Sequence, residues 1–135
     1  MRIALDTNVL IAAFISRGVC TELLEYCVCR HEVITSDYII EEFRRSLCEK
    51  FRYAEQEVDT VSDLLRSRMI TVEPVDLPED VCADHDDIPV IGTAVAGKCR
   101  CLVTGDKALL VIDKFKDIDF IAPSYFWKYE NTQDK

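Results

Sequence analysis

Short continuous apolar runs alternate along this chain with longer stretches of helical period. Residues 3–5 (Ile-Ala-Leu) read as a buried strand, and residues 9–14 as an apolar helix just after it. Leu23, Leu24, Cys27 and Val28 recur at helix spacing within residues 21–30. Residues 31–35 read as a second strand. Ser36 then caps a helix over Asp37–Glu49, with Ile39, Ile40, Phe43, Leu47 and Cys48 on one stripe. A further helix over residues 54–69 turns Val58, Val61, Leu64 and Leu65 inward, and residues 70–75 form a short strand. After an acid-rich loop at 81–87, Pro89 suits the first turn of a helix over 88–98. Residues 101–104 are apolar enough for a central parallel strand. A short helix at 108–111, a strand at 118–122 and a helix opened by Pro123, carrying Phe126 and Trp127, complete the pattern. Residues 131–135 read as a frayed tail. Strands alternating with helices predict one three-layer α/β/α domain over residues 1–130, with a mostly parallel central sheet.

Four acidic positions stand at element ends in this frame. Asp6 follows the first strand directly, and Asp106 follows the strand at 101–104 in a Thr-Gly-Asp turn. Ligands of open α/β sheets bind outside the carboxyl ends of the strands. Asp6 alone fits a helix cap as well as it fits chemistry. Glu41 and Glu42 lie in the helix after the second strand and point about 100° apart. Glu42 adjoins Phe43, whereas Glu41 falls toward the polar side with Arg44 and Arg45. Asp84, Asp86 and Asp87 precede the helix at 88–98. One acid suffices as its cap, and three so close repel one another. Carboxylates converging on one sheet edge suit Mg²⁺ or Mn²⁺ rather than a soft metal.

Composition narrows the classes. The 135 residues are 49% hydrophobic and 30% charged, and the formal net charge is −9. That balance argues against a simple basic nucleic-acid binder but not against one whose acidic site holds cations. No apolar run is long enough for a membrane span and no signal peptide is evident, so a cytoplasmic location without membrane contact is expected. Seven cysteines, including the pairs Cys27/Cys29 and Cys99/Cys101, read as reduced buried thiols rather than zinc ligands. With only His31 and His85, a histidine-rich site is excluded; His85 reads as solvated. No phosphate-binding glycine loop or nucleophile elbow is present.

The segments LDTNVLIAAF, TSDYIIEEFRRSL, DHDDIPVIGTAVAGKCRCLVTGDKALL and IAPSYFWKY together resemble the PIN-domain ribonucleases, a family supplying many toxins of toxin–antitoxin pairs. By position, the resemblance places the family's acids on Asp6, Glu42, Asp87 and Asp106, with Thr7, Asn8 and Thr104 as flanking polar residues. Glu42 is favoured because the family's acid precedes the apolar residue, here Phe43. Asp87 is favoured because it stands seven residues before Ala94. Many relatives carry another acid two residues after the TGD aspartate, where this chain has Ala108.

The resemblance implies Mg²⁺- or Mn²⁺-dependent hydrolysis of RNA, with Asp6 and Asp106 as the direct ligands. Thr7 or Asn8 would then take over the helix cap. Arg17, Arg44, Arg45 and Lys107 are the candidate substrate cations. An antitoxin partner is implied, and the apolar positions on the helices at 21–30 and 54–69 fit either a homodimer face or the core. Two other classes compete: a catalytically silent binding module of the same fold, and a phospho-acceptor signalling domain. The latter wants an acid pair after the first strand, where this chain has Asp-Thr-Asn.

Overall fold

The computed structural model describes residues 1–133. Its strands are β1 (Arg2–Leu5), β2 (Glu32–Thr35), β3 (Ile70–Thr71), β4 (Cys101–Val103), β5 (Lys114–Phe115) and β6 (Ile118–Ile121). Its helices are α1 (Thr7–Ile15), α2 (Val19–Arg30), α3 (Asp37–Glu49), α4 (Glu55–Arg68), α5 (Ile88–Ala96), α6 (Lys107–Ile112) and α7 (Phe126–Gln133). They build a three-layer α/β/α domain around one six-stranded sheet of order β3-β2-β1-β4-β6-β5. All pairings are parallel except β5 with β6.

β1 and β4 are the central strands. Ile3, Ala4, Leu5, Cys101, Leu102 and Val103 are all fully buried or nearly so, because helices cover both sheet faces. α5 lies against β1, β2 and β4, while α1 packs on α2 and α3, and α3 on α4. The amphipathic α3 buries Ile39, Ile40, Phe43 and Leu47. The Ser36 hydroxyl accepts the Ile39 N–H at its start. No single helix among the described residues is long and apolar enough to cross a membrane. Cys27, Cys99 and Cys101 are buried free thiols, and burial pushes Cys27 and Cys99 up to about 12.

Several expectations need correction. The strand expected at 70–75 pairs with β2 only at Ile70 and Thr71, and Val72 gives its amide to the Thr35 carbonyl at 2.8 Å. Pro74 has no N–H for a ladder, and the chain crosses onto α5, where the Val75 amide donates to the Gly92 carbonyl. A Cβ at Gly92 would lie 2.5 Å from the Val75 carbonyl oxygen, so only glycine admits this crossing. Leu64 is 56% exposed rather than inward.

The hairpin β5–β6 was not expected. Its two-residue turn, Lys116–Asp117, lacks the usual Asn-Gly signal and places Lys116 at φ 54°. The tail expected to fray from residue 131 is helical through Gln133, whose side-chain oxygen accepts from Arg100 Nη1 at 2.7 Å. Residues 134–135 lie outside the described residues. α7 is further anchored by buried Glu130, which accepts from the Tyr26 hydroxyl at 2.7 Å and faces His31 Nε2 at 2.5 Å.

Candidate active site

From β1 the chain proceeds to β2 on one side, whereas β4 and β6 lie on the other, so the order reverses between β1 and β4. A crevice opens at such a reversal, outside the carboxyl ends of the strands. Leu5 is in register with Val103, and the next residues in each strand are Asp6 and Thr104. The parallel ladder therefore brings the two side by side, and Asp6 donates its amide to the Val103 carbonyl at 2.9 Å.

Asp6 is only 4% exposed. Its Oδ1 accepts the Thr7 amide at 2.7 Å. Its Oδ2 accepts the Thr104 hydroxyl at 2.6 Å and the Asn8 side-chain amide at 3.4 Å. Burial raises its pKa, the bonds from Thr104 and Thr7 oppose that, and the Asp106 charge adds to it. Asp6 is itself the N-cap of α1, so the cap does not pass to Thr7 or Asn8 as expected. The physical reason is that extended backbone at Asp6 turns its short carboxylate onto the first free helix amide. Asn8 instead ties the two strand ends together, accepting the Gly105 amide at 3.3 Å.

Thr7 connects Asp6 to α3. While its amide serves Asp6, its hydroxyl donates to Glu42 Oε1 at 3.0 Å. Glu42 also accepts from the Tyr38 hydroxyl at 3.4 Å. Burial raises the Glu42 pKa, hydrogen bonds from Thr7 and Tyr38 oppose it, and the charges of Asp6 and Asp86 add to it. Glu41, by contrast, points outward and faces Arg44 at 3.7 Å.

Asp87 ends a 3₁₀ turn, His85–Asp87, and occupies the N-cap position of α5 without a capping bond. Asp84 caps the 3₁₀ turn instead, accepting the Asp86 amide at 2.9 Å. The Asp87 carboxyl takes no cap and lies within the electrostatic reach of Asp106. Burial foremost, then the charges of Asp6, Asp106 and Asp84, push Asp87 up to about 7. Asp106 caps α6 through the Ala108 amide at 2.9 Å and donates its own amide to the Thr104 hydroxyl at 3.0 Å. His85 is exposed.

All four acids thus stand at one end of the sheet, with Asp6 in electrostatic reach of Glu42, Asp87 and Asp106. Among the described residues, no three His, Cys, Asp or Glu side chains are gathered tightly enough to hold an ion unaided. The donor set nonetheless fits a hard divalent cation: every donor is oxygen, and the charges of Asp6 and Asp106 that bear on Asp87 are what a cation would offset. Asp6, Glu42, Asp87 and Asp106 are the residues that would hold it.

The candidate substrate cations divide. Arg44 is committed to an ion pair with Asp59 on α4, which weakens the case for it as a substrate contact. Arg17, Arg45 and Lys107 are exposed, and Arg45 is near enough to Tyr38 to lower its pKa slightly against the larger effect of burial. Tyr38 is the site residue that sequence reasoning missed. Its hydroxyl donates to Glu42 and, at 2.8 Å, to the Asp86 carbonyl, linking α3 to the acid loop. The signal was the helical i, i+4 spacing of Tyr38 and Glu42.

A family model for the PIN domain matches residues 2–108. The fold is similar to that in the structure of VapBC2 from Rickettsia felis bound to a DNA fragment from their promoter. Its TM-score is 0.63 at 14% identity, over 90% of this chain and 98% of that one. VapBC-1 from nontypeable Haemophilus influenzae gives a TM-score of 0.66 at 15% identity, over 92% and 99% of the two chains. FitAcB from Neisseria gonorrhoeae gives 0.56 at 14% identity, over 91% and 99%. Comparison with curated proteins yields no match. With the domain matched over most of the chain and the fold shared, the chain belongs to the PIN-domain family.

Proposed function

We propose that this protein is a metal-dependent endoribonuclease. The observation that carries the reading is the meeting of Asp6, Glu42, Asp87 and Asp106 at the strand-order reversal, with Asp87 pushed up to about 7 by burial first and by its acidic neighbours second. Carboxylates set in mutual repulsion at a crevice are poorly explained by stability and well explained by a cation. A bound Mg²⁺ or Mn²⁺ supplies a Lewis acid that lowers the pKa of water and offsets charge on the phosphoryl oxygens.

The protein's own groups prepare that chemistry. Thr104 and the Thr7 amide fix both oxygens of Asp6, so its orientation is set before substrate arrives. Thr7 and Tyr38 do the same for Glu42. Asp106 is held by the α6 amide it caps, and a cation beside Asp87 would favour the ionised form of that carboxyl. Lys107, Arg17 and Arg45 offer the positive charge that draws RNA to an otherwise acidic surface. Cleavage of RNA by the purified chain in Mg²⁺ or Mn²⁺, and its loss in excess EDTA, tests this reading. Equal cleavage in EDTA would refute it.

We further propose that the protein is the toxin of a toxin–antitoxin pair, on the strength of the fold it shares with the VapBC and FitAcB structures. It would act in the cytoplasm, as a homodimer. An apolar crevice of about 170 Å³ between α2 and α4, with Leu24, Val28, Leu64 and Leu65 in its walls, supplies surface for a protein partner. Co-purification with the product of an adjacent reading frame tests the antitoxin, and sedimentation of the chain alone tests the dimer.

A further inference from the structure

The end of the sheet opposite the acids carries a second concavity, of about 490 Å³. That is within the range of small-ligand sites, roughly 300–1,000 Å³. It lies where β1, β4 and β6 begin and α5 ends, and Arg2, Lys98, Arg100 and Lys116 all line it. Asp117 is the one acid in its wall. In a chain of net charge −9 such a gathering of cations runs against the general field of the molecule.

None of the four forms an ion pair with the described residues. Among the described residues the Arg100 side chain hydrogen-bonds only to the neutral Gln133 amide, and Lys116 stands 5.8 Å from the Phe115 ring. Arg2 keeps its Nε enclosed without a hydrogen-bond partner among the described residues, a state that buried donors rarely tolerate. The backbone adds an independent sign. Lys98 and Lys116 hold φ of 53° and 54°, in the left-handed region that glycine or asparagine enters most cheaply. A lysine costs more at each position, and both lysines face the same cavity. One cation would satisfy the carbonyl end of α5; four exceed that need.

We propose that this cavity is an anion site that takes a phosphate group, separate from the acidic edge. Arginine and lysine together suit such a ligand, the former by paired N–H donors and the latter by point charge. The phosphate would belong either to RNA reaching round the domain or to a free phosphorylated compound. Only the RNA alternative rests on the ribonuclease reading.

The test is calorimetric titration of inorganic pyrophosphate into the full chain, in EDTA and at fixed ionic strength. The variant is Lys98→Asn with Lys116→Asn, which removes two charges while asparagine tolerates the same backbone. We expect binding by the unaltered chain, at least tenfold weaker binding by the double variant, and unchanged binding by Asp6→Asn. Arg2→Gln provides a second route, with the same loss expected. No binding by the unaltered chain, or equal binding by the double variant, overturns the site. Binding of long and short RNA then separates the sources. Weaker binding of long RNA alone by the double variant identifies the RNA backbone, and no change identifies a free phosphate compound. Loss of cleavage in EDTA bears on the acidic edge and leaves the pyrophosphate result untouched.

Discussion

Thr104 gives its hydroxyl proton to Asp6 Oδ2 at 2.6 Å while accepting the amide of Asp106 at 3.0 Å. One hydroxyl thereby fixes the positions of two acids that leave different strands. Thr104→Val keeps the shape and removes both bonds. RNA cleavage is expected to fall by about 10–100-fold, as for other groups that orient metal-binding carboxylates. Measured kcat/KM, alongside a melting curve showing a folded domain, checks this; unchanged kcat/KM would contradict it.

The pH dependence of stability carries a definite sign. Asp87 is raised from 3.8 to about 7 in the folded protein, so the folded state binds more protons than the unfolded one between about pH 4 and pH 7. Its stabilising contribution is complete at low pH and is lost as pH rises through 7. Asp6 and Glu42, also raised, act in the same direction. Glu130 acts oppositely. Burial tends to raise it, but the Tyr26 and His31 bonds win and lower it, so its contribution disappears as pH falls below the ordinary carboxylate range. In EDTA the melting temperature should therefore decline from pH 5 to pH 8, and Mn²⁺ should restore it at the upper end. A flat or rising profile in EDTA would count against the coupled acids.

Much of this arrangement was legible in the chain. The apolar runs before Asp6 and Asp106 are short and wholly buried, and burial on both faces is what makes a central parallel strand recognisable. The helix carrying Glu42 has one unambiguous apolar stripe and a serine cap. What escaped depended on long-range geometry. The dual role of Asp6 turns on its own backbone angle, and that of Tyr38 on the approach of the acid loop. The strand after Ile70 stops early because Gly92, far along the chain, admits the Val75 backbone. The β5–β6 hairpin escaped because its turn uses Lys116 where glycine or asparagine is usual.

Ala108 is exposed, and its amide donates to the capping Asp106, so a carboxylate added there would meet open space beside the acids. Ala108→Asp is expected to tighten apparent Mn²⁺ affinity by roughly 10-fold. Calorimetric titration of Mn²⁺ into both proteins measures it. Weaker or equal affinity would show that this position does not reach the ion.

Leu64 projects from α4 with 56% of its surface exposed, beside Leu24 and Val28 of α2. Leu64→Glu leaves the core intact and places a charge on the proposed partner face. Association should be lost while RNA cleavage is retained, as read by sedimentation and by a cleavage assay on the same sample. Retained association would remove this face from the partner account.

The central claim rests on Asp6, which is buried, oriented by three donors and in electrostatic reach of every other acid of the site. The most direct measurement is RNA cleavage by the unaltered chain and by Asp6→Asn, each in Mn²⁺ and in EDTA, with matched circular dichroism melts. Cleavage by the unaltered chain in Mn²⁺ only, and a drop of at least about 100-fold in a folded Asp6→Asn, is the expected result. Undiminished cleavage by Asp6→Asn would contradict it.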